Sequence, residues 1–584
     1  MATLQDYLGI TALRDAWPKW KANVIAVNNQ LVNHVAGTAD KHAAQDITYT
    51  GGFVGKTEVK AALDQAKTEI DTIVVNASID PEVAFARDSA VKSKVFGSLD
   101  ARLEEDEQDL VSYKAETATQ GLLLESYKIQ SPEADDTGRI NRAIADAITK
   151  NATLILGNKT YIISAGLIIN GSINIIGQGD LSAIQSSDTS KSILQVMNAN
   201  GIVLSNFKLI GMATIRNTTQ NGLSINGSRI VIQNISVTGT AAAGIYATSL
   251  SDSKIIGCDV RDTYADGIHM ANKSKNVAVI GNILNNTGDD GIAVVSYQSD
   301  GDYCTQIVIA ENIVNQSKSR GISHAGGKYV TISNNVINGT ASSGILVLLD
   351  YSYNTYAPYD TIIANNQILN AGSVTPNIGN QFGIEITPDS AGCLVDGNII
   401  RDGPNRGFDV AGTGNIITNN LIINQTSNQV NYQTGMVISN NRFETCTLNG
   451  LAVIGSGDVN ISGNVFYNNN TSGSGVGDNL YLDSCSKCNI VGNFSIDTNA
   501  TPKVRNAMTL SKCSYCDFSG NKLDCGGLAI YTPSCTSLFH KDGIITNSDP
   551  VSLTGYAQGQ RWFNTANLKQ WFFDGTAWRY SQMT

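Results

Sequence analysis

Three aspartates in this chain stand where chemistry could be done. "YADGIHM" (Tyr264 to Met270) and "GDDGIAVVS" (Gly288 to Ser296) each set an aspartate directly before Gly-Ile. Asp266 and Asp290 are 24 residues apart, and Asp289 adjoins the second. Stacked carboxylates repel, and the repulsion raises the pKa of one of them. A protonated carboxyl beside an ionised one is what general acid–base hydrolysis requires. Inversion at a glycosidic bond asks for two such groups about 6.5–9.5 Å apart. Two other readings stay open. Asp-Gly is a favoured turn pair whose carboxylate bonds nearby backbone. Clustered Asp oxygens also suit a divalent cation such as Ca2+ or Mg2+; no other cofactor is expected.

A repeat explains why the two stretches should meet. The pattern apolar-x-apolar-x-Gly/Asn-Asn-x-apolar recurs in "VAVIGNIL", "IVIAENIV", "VTISNNVI", "CLVDGNII" and "VNISGNVF". Its Asn falls at Asn282, Asn312, Asn335, Asn366, Asn398, Asn420, Asn441, Asn464, Asn493 and Asn521, with Asn234 and Asn206 extending the series upstream. Alternation inside each unit indicates short strands with one buried face. A period near 22 residues, stretched by loops, is too short for a propeller blade and lacks the helix of a leucine-rich repeat. It predicts an all-β chain, a right-handed parallel β-helix whose rungs stack and whose Asn side chains form a ladder about 4.8 Å apart.

Aligning the rungs on Gly222, Gly244, Gly267, Gly291, Gly321, Gly344, Gly383 and Gly407 gives the columns. The residue before Gly reads Asn221, Ala243, Asp266, Asp290, Arg320, Ser343, Phe382, Arg406. Two residues after Gly, on the outward side, it reads Ser224, Tyr246, His269, Ala293, Ser323, Leu346, Glu385, Asp409. His269, Arg320 and His324 are therefore expected beside the aspartates. Glu385 and Asp409, with Tyr351 and Tyr353 from the insertion "YSYNTYAPYD", form a second candidate saccharide groove. "CSKC" and "CSYC" have zinc-ribbon spacing, but they lie one rung apart, which makes stacked thiols the simpler expectation.

The ends differ from the middle. Val59, Leu63, Ala66, Ile70 and Ile73 form one heptad seam, and Phe96, Leu99, Leu103, Asp106, Leu110 and Tyr113 another. In "DDTGRINRAIADAITKN", Ile140, Ala143, Ile144, Ala147 and Ile148 share a helical face suited to capping the first rung. The final segment holds three of the five tryptophans, and Asp574-Gly575 signals a hairpin. Three regions follow: 1–125, an α-helical, coiled-coil oligomerisation segment; 126–540, the cap and solenoid; and 541–584, a small aromatic β-module. The net charge of −11 argues against a nucleic-acid partner. No apolar run of membrane length occurs, and the charged start "MATLQDYLGITALRDAW" is unlike a secretory signal.

This order resembles the tailspike and pre-neck appendage proteins of bacteriophages, within the pectin-lyase-like superfamily. "SPEADDTGRINRAIADAI" resembles the usual entry into their β-helices, and "VFGSLDARLEEDEQDL" the coiled segment before it. The resemblance implies a homotrimer on the virion, attached through its N-terminus to tail or baseplate proteins. It implies a depolymerase that binds and hydrolyses host surface polysaccharide, or a teichoic-acid phosphodiesterase, or a non-catalytic receptor-binding appendage. The aspartates also resemble those of polygalacturonase-type glycoside hydrolases. That likeness implies Asp289 as general acid, with Asp266 and Asp290 activating water. Arg320 stands where that family has His, and the next rung, "SSGILVLLD", lacks its Arg-x-Lys.

If the seams join three chains, light scattering will give about three times 62.0 kDa. A monodisperse monomer at micromolar concentration would rule the assembly out.

Overall fold

The computed structural model describes residues 121–532 almost throughout, positions 433, 474, 526 and 527 apart. Beyond them it describes 534–535, 544–546, 561–564, 569–573 and 577–582, and before them only 64, 65, 68, 88, 89, 94, 95, 104, 105 and 108. The heptad positions lie outside the described residues. Two compact units divide at residue 119, Met1–Thr119 and Gln120–Thr584.

The second unit is a parallel β-helix with three faces. One rung runs through Ile268–Ala271 on the first face, Lys275–Ile280 on the second and Ile283–Asn285 on the third. Each strand pairs in parallel with its counterpart one rung on: Ile268 with Ile292, Val277 with Ile307, Leu284 with Val314. Alternation does the sorting. On the first face Ile268, Met270, Ile292, Val294, Ile345 and Val347 point inward and are fully buried. The columns read by aligning glycines are the observed register, with Tyr246 opposite His269, His269 opposite Ala293, and Glu385 opposite Asp409. The glycines are required by space rather than by φ. A Cβ on Gly267 would stand 2.4 Å from Leu284 Cδ2 and 2.6 Å from the Gly291 carbonyl.

The Asn ladder turns the chain from the second face to the third. Asn335 Nδ2 donates to Asn366 Oδ1 and to the Ile309 carbonyl, both at 2.9 Å. Its Oδ1 accepts the backbone and side-chain N–H of Asn312 at 3.0 and 2.9 Å. The pattern runs unbroken from Asn282 to Asn521. Asn206 and Asn234 do not belong to it. They occupy the preceding turn position, with φ of 58° and 51°, as Asn334, Asn365, Asn419 and Asn440 do. Cys258 takes the ladder position instead and donates its N–H to Asn282. A left-handed turn residue favours Asn or Gly, so adjacent asparagines carry two unrelated constraints.

The helix Thr137–Lys150 caps the first rungs, burying Ile140, Ala143, Ile144 and Ala147, while Ile148 in its last turn is 37% exposed. The strand Gly121–Leu123 already pairs with Thr153–Ile155, so the solenoid unit starts slightly before residue 126. The two Cys-x-x-Cys turns stack as expected, with Ser486 bridged to Ser514. Cys485, Cys488, Cys513 and Cys516 are buried, and each sulfur bonds the carbonyl two residues earlier. After the solenoid, Arg561–Asn564, Lys569–Phe573 and Trp578–Gln582 form an antiparallel meander.

Asn366→Ala removes two donors and an acceptor that four neighbouring groups use. Unfolding free energy should fall by at least about 2 kcal/mol, because buried partners are left unpaired. A loss below about 0.5 kcal/mol would mean the ladder is dispensable.

Candidate active site

The turn from the third face back to the first carries the aspartates. Thr287 holds this turn by donating from Oγ1 to the Asp289 carbonyl at 3.0 Å. Asp266 and Asp290 each serve the rung that follows. Asp266 Oδ1 accepts the Asp290 N–H, and Asp290 Oδ1 accepts the Arg320 N–H, both at 3.0 Å. Asn221 Oδ1 does the same for Ala243 at 3.1 Å. The turn role of this column is therefore real, and it spends one oxygen of each carboxylate.

The three carboxylates converge. Asp266, Asp289 and Asp290 each place one carboxylate oxygen within 4.8 Å of the others. This is tighter than the gap of about 6.5–9.5 Å expected for inversion. Asp266 Oδ2 meets His269 Nδ1 at 2.6 Å, and the His269 ring lies 5.2 Å from that of Tyr246. Arg320 Nε meets Asp290 Oδ1 at 2.9 Å. Asp289 Oδ2 accepts from Arg216 Nη2 at 2.7 Å. Asp289 Oδ1 and Asp290 Oδ2 are left without protein partners among the described residues. Three oxygens so close could ligate a hard cation, but Arg216 and Arg320 already place two positive charges against them.

Burial sets the proton. It pushes the Asp290 carboxyl up to about 7, with Asp266 and Asp289 adding to the rise and Arg320 opposing it. The carboxyl that stays protonated near neutrality is thus Asp290. Asp289, the residue expected as acid, is the most exposed of the three and is held beside a guanidinium.

The other expected residues separate into three groups. His269 and Arg320 join the cluster. His324 does not: it pairs with Val294 and Val347 on inward positions, is fully buried, and contacts Thr361 Oγ1 at 3.1 Å. Burial lowers its pKa to about 4, so it is a neutral core residue and no substrate ligand. Three positions after Gly is the inward parity. Glu385 and Asp409 lie on the first face four and five rungs beyond His269, about 19 and 24 Å along the axis. Glu385 accepts from Ser343 at 2.7 Å and Asn380 at 2.6 Å, and Asp409 pairs with Arg406 and Asn431. Burial raises the Asp409 pKa. The exposed tyrosines straddle the two places. Tyr353 lies within electrostatic reach of Arg216 and Tyr297, whereas Tyr351 hydrogen-bonds Asp389. Arg216 and Tyr297 were not foreseen. Tyr246 stood in the aligned column beside His269, so its place was readable.

Asp290→Asn tests the electrostatics. The native carboxyl keeps its proton to about 7, while the unfolded one releases it near 3.8. Between these values the native state binds more protons, so stability falls as pH rises through that window. Asn cannot titrate, and it preserves the acceptor as Asn221 does. The melting temperature of the variant should therefore gain on that of the parent between pH 5 and pH 8. A difference that stays constant with pH would show that Asp290 is ionised throughout.

The chain matches the family model described as right handed beta helix region over residues 185–368 and 382–549. No curated protein sequence matches it. Solved structures resemble it at low identity. The catalytic domain of a GH87 alpha-1,3-glucanase is 14% identical with a TM-score of 0.38, covering 72% of this chain and 66% of its own, so this chain spans just under two thirds of that domain. The Dettilon tailspike protein is 16% identical with a TM-score of 0.35, covering 80% of this chain and 73% of its own. The A-module of an Azotobacter vinelandii mannuronan C-5 epimerase is 14% identical with a TM-score of 0.33, covering 74% and 100%. Matched over more than half its length and built of three parallel faces around one core, the chain belongs to the right-handed β-helix region family.

Proposed function

We propose that this protein hydrolyses a polysaccharide at Asp266, Asp289 and Asp290, as a tailspike-type depolymerase acting on glycan of a host cell surface. The observation that carries the reading is the cluster itself: three carboxylates on neighbouring rungs, one of them protonated near neutrality. Asp266 and Asp290 are fixed by backbone N–H groups and by His269 and Arg320, which suits them to orient water. Asp289 is the outermost, so a leaving oxygen meets it first. In the proposed step the glycosidic carbon–oxygen bond breaks and Asp289 supplies the proton to the leaving oxygen. Water adds to the sugar carbon and its proton passes to the Asp266–Asp290 pair. In this step the proton carried by Asp290 first passes to Asp289, which leaves Asp290 ionised to take up the proton of the water. A phosphodiester backbone such as teichoic acid is the second reading, favoured by the cation Arg216 at the same place. Assembly as a homotrimer on a phage virion, with the N-terminal segment on the tail, belongs to the same proposal and rests on the resemblance of sequence layout.

Incubation with purified walls and capsules from candidate hosts, followed by mass spectrometry, decides the bond. Reducing sugar marks glycosidic cleavage, and glycerol or ribitol phosphate marks phosphodiester cleavage. Asp289→Asn should lower turnover at least about 10²-fold. Asp262→Asn should be nearly silent, because Asp262 lies outside the column at an exposed turn. Near-full turnover by Asp289→Asn, or tight wall binding without product, would sink hydrolysis at this cluster.

A further inference from the structure

One cation reaches the cluster from three rungs away. Arg216 stands between the strands Lys208–Ile210 and Leu223–Ser228, and its Nη2 meets Asp289 Oδ2 at 2.7 Å across 73 residues of sequence. Its side chain remains 54% exposed. Asp289 is its only hydrogen-bond partner among the described residues, so four of its five N–H donors are unused. Arg320 is different: it is half as exposed, and it bonds Asp290 and Ser319. Asp266 and Tyr353 are within electrostatic reach of Arg216. Ile215 and Met212 are exposed on the same loop.

We propose that Arg216 is an anion receptor for the substrate, which makes the substrate class an anionic glycan carrying a carboxylate or a phosphate. The inference deepens the hydrolytic reading and rests on it. An exposed ion pair is weakly held. A carboxylate or phosphate that offers two oxygens to the fork forms paired charge-assisted hydrogen bonds and displaces Asp289. Asp289 is thereby released from its guanidinium partner.

Calorimetry on the full chain tests this with three probes of equal length: an oligogalacturonate, a glycerol phosphate oligomer and a neutral gluco-oligosaccharide. One anionic probe should bind the parent at least about tenfold more tightly than the neutral one. Arg216→Gln should erase that ratio and Arg216→Lys should retain part of it. Which anion wins distinguishes carboxylate from phosphate. An unchanged ratio in Arg216→Gln overturns the proposal, and so does a parent with no preference for either anion. Because binding is read without turnover, the two readings fail separately. Turnover lost in Asp289→Asn with a ratio indifferent to Arg216 leaves hydrolysis standing and removes the receptor. A ratio that depends on Arg216 in a protein that releases no product does the reverse.

Discussion

The buried amide ladder fixes the register of the rungs from Asn282 to Asn521. A side-chain amide without partners is costly inside a protein. Here a ladder Asn such as Asn335 is satisfied by the Asn on the rung before, the Asn on the rung after and the carbonyl of a neighbouring strand. A rung that slipped by one residue would orphan several of these groups together and turn its apolar residues outward. Register is thereby locked over ten rungs, and columns on all three faces become straight. The catalytic question is a consequence of that regularity, since equal positions on adjacent rungs must be neighbours.

Straight columns also force like charges together. The structure offsets the repulsion between Asp266, Asp289 and Asp290 in three ways. Backbone N–H groups of the following rungs bond Asp266 and Asp290. Arg320, the next residue in the column, pairs with Asp290, and Arg216 pairs with Asp289. What remains is absorbed as a proton, because burial makes an ionised Asp290 unfavourable. Turn chemistry and acid–base chemistry are thus not alternatives at this site. The same oxygen that holds the turn fixes the carboxyl that titrates, and Asn221 shows that the turn role alone needs no charge.

Glu385 and Asp409 stand apart from this cluster. Each has local partners that consume its oxygens, and neither reaches the three-aspartate cluster. They lie on the same face as His269, with Tyr351 and Tyr353 on the intervening loop.

The local pattern of this chain determined most of the fold. Period-two alternation set the strands, the recurrent Asn set the turn, and aligned glycines set the columns that bring His269 and Arg320 beside the aspartates. These are properties of backbone geometry repeated every rung, so they are written locally. His324 was misplaced although its parity was readable, since a residue three positions after Gly points to the core. Asn206 and Asn234 were assigned to the ladder because a left-handed turn and a buried amide both select Asn. Only the tertiary structure brought Arg216 to Asp289, for a loop that spans three rungs follows no period. Only it showed that the Asp290 carboxyl is pushed up, because that shift depends on burial and on charges from separate rungs.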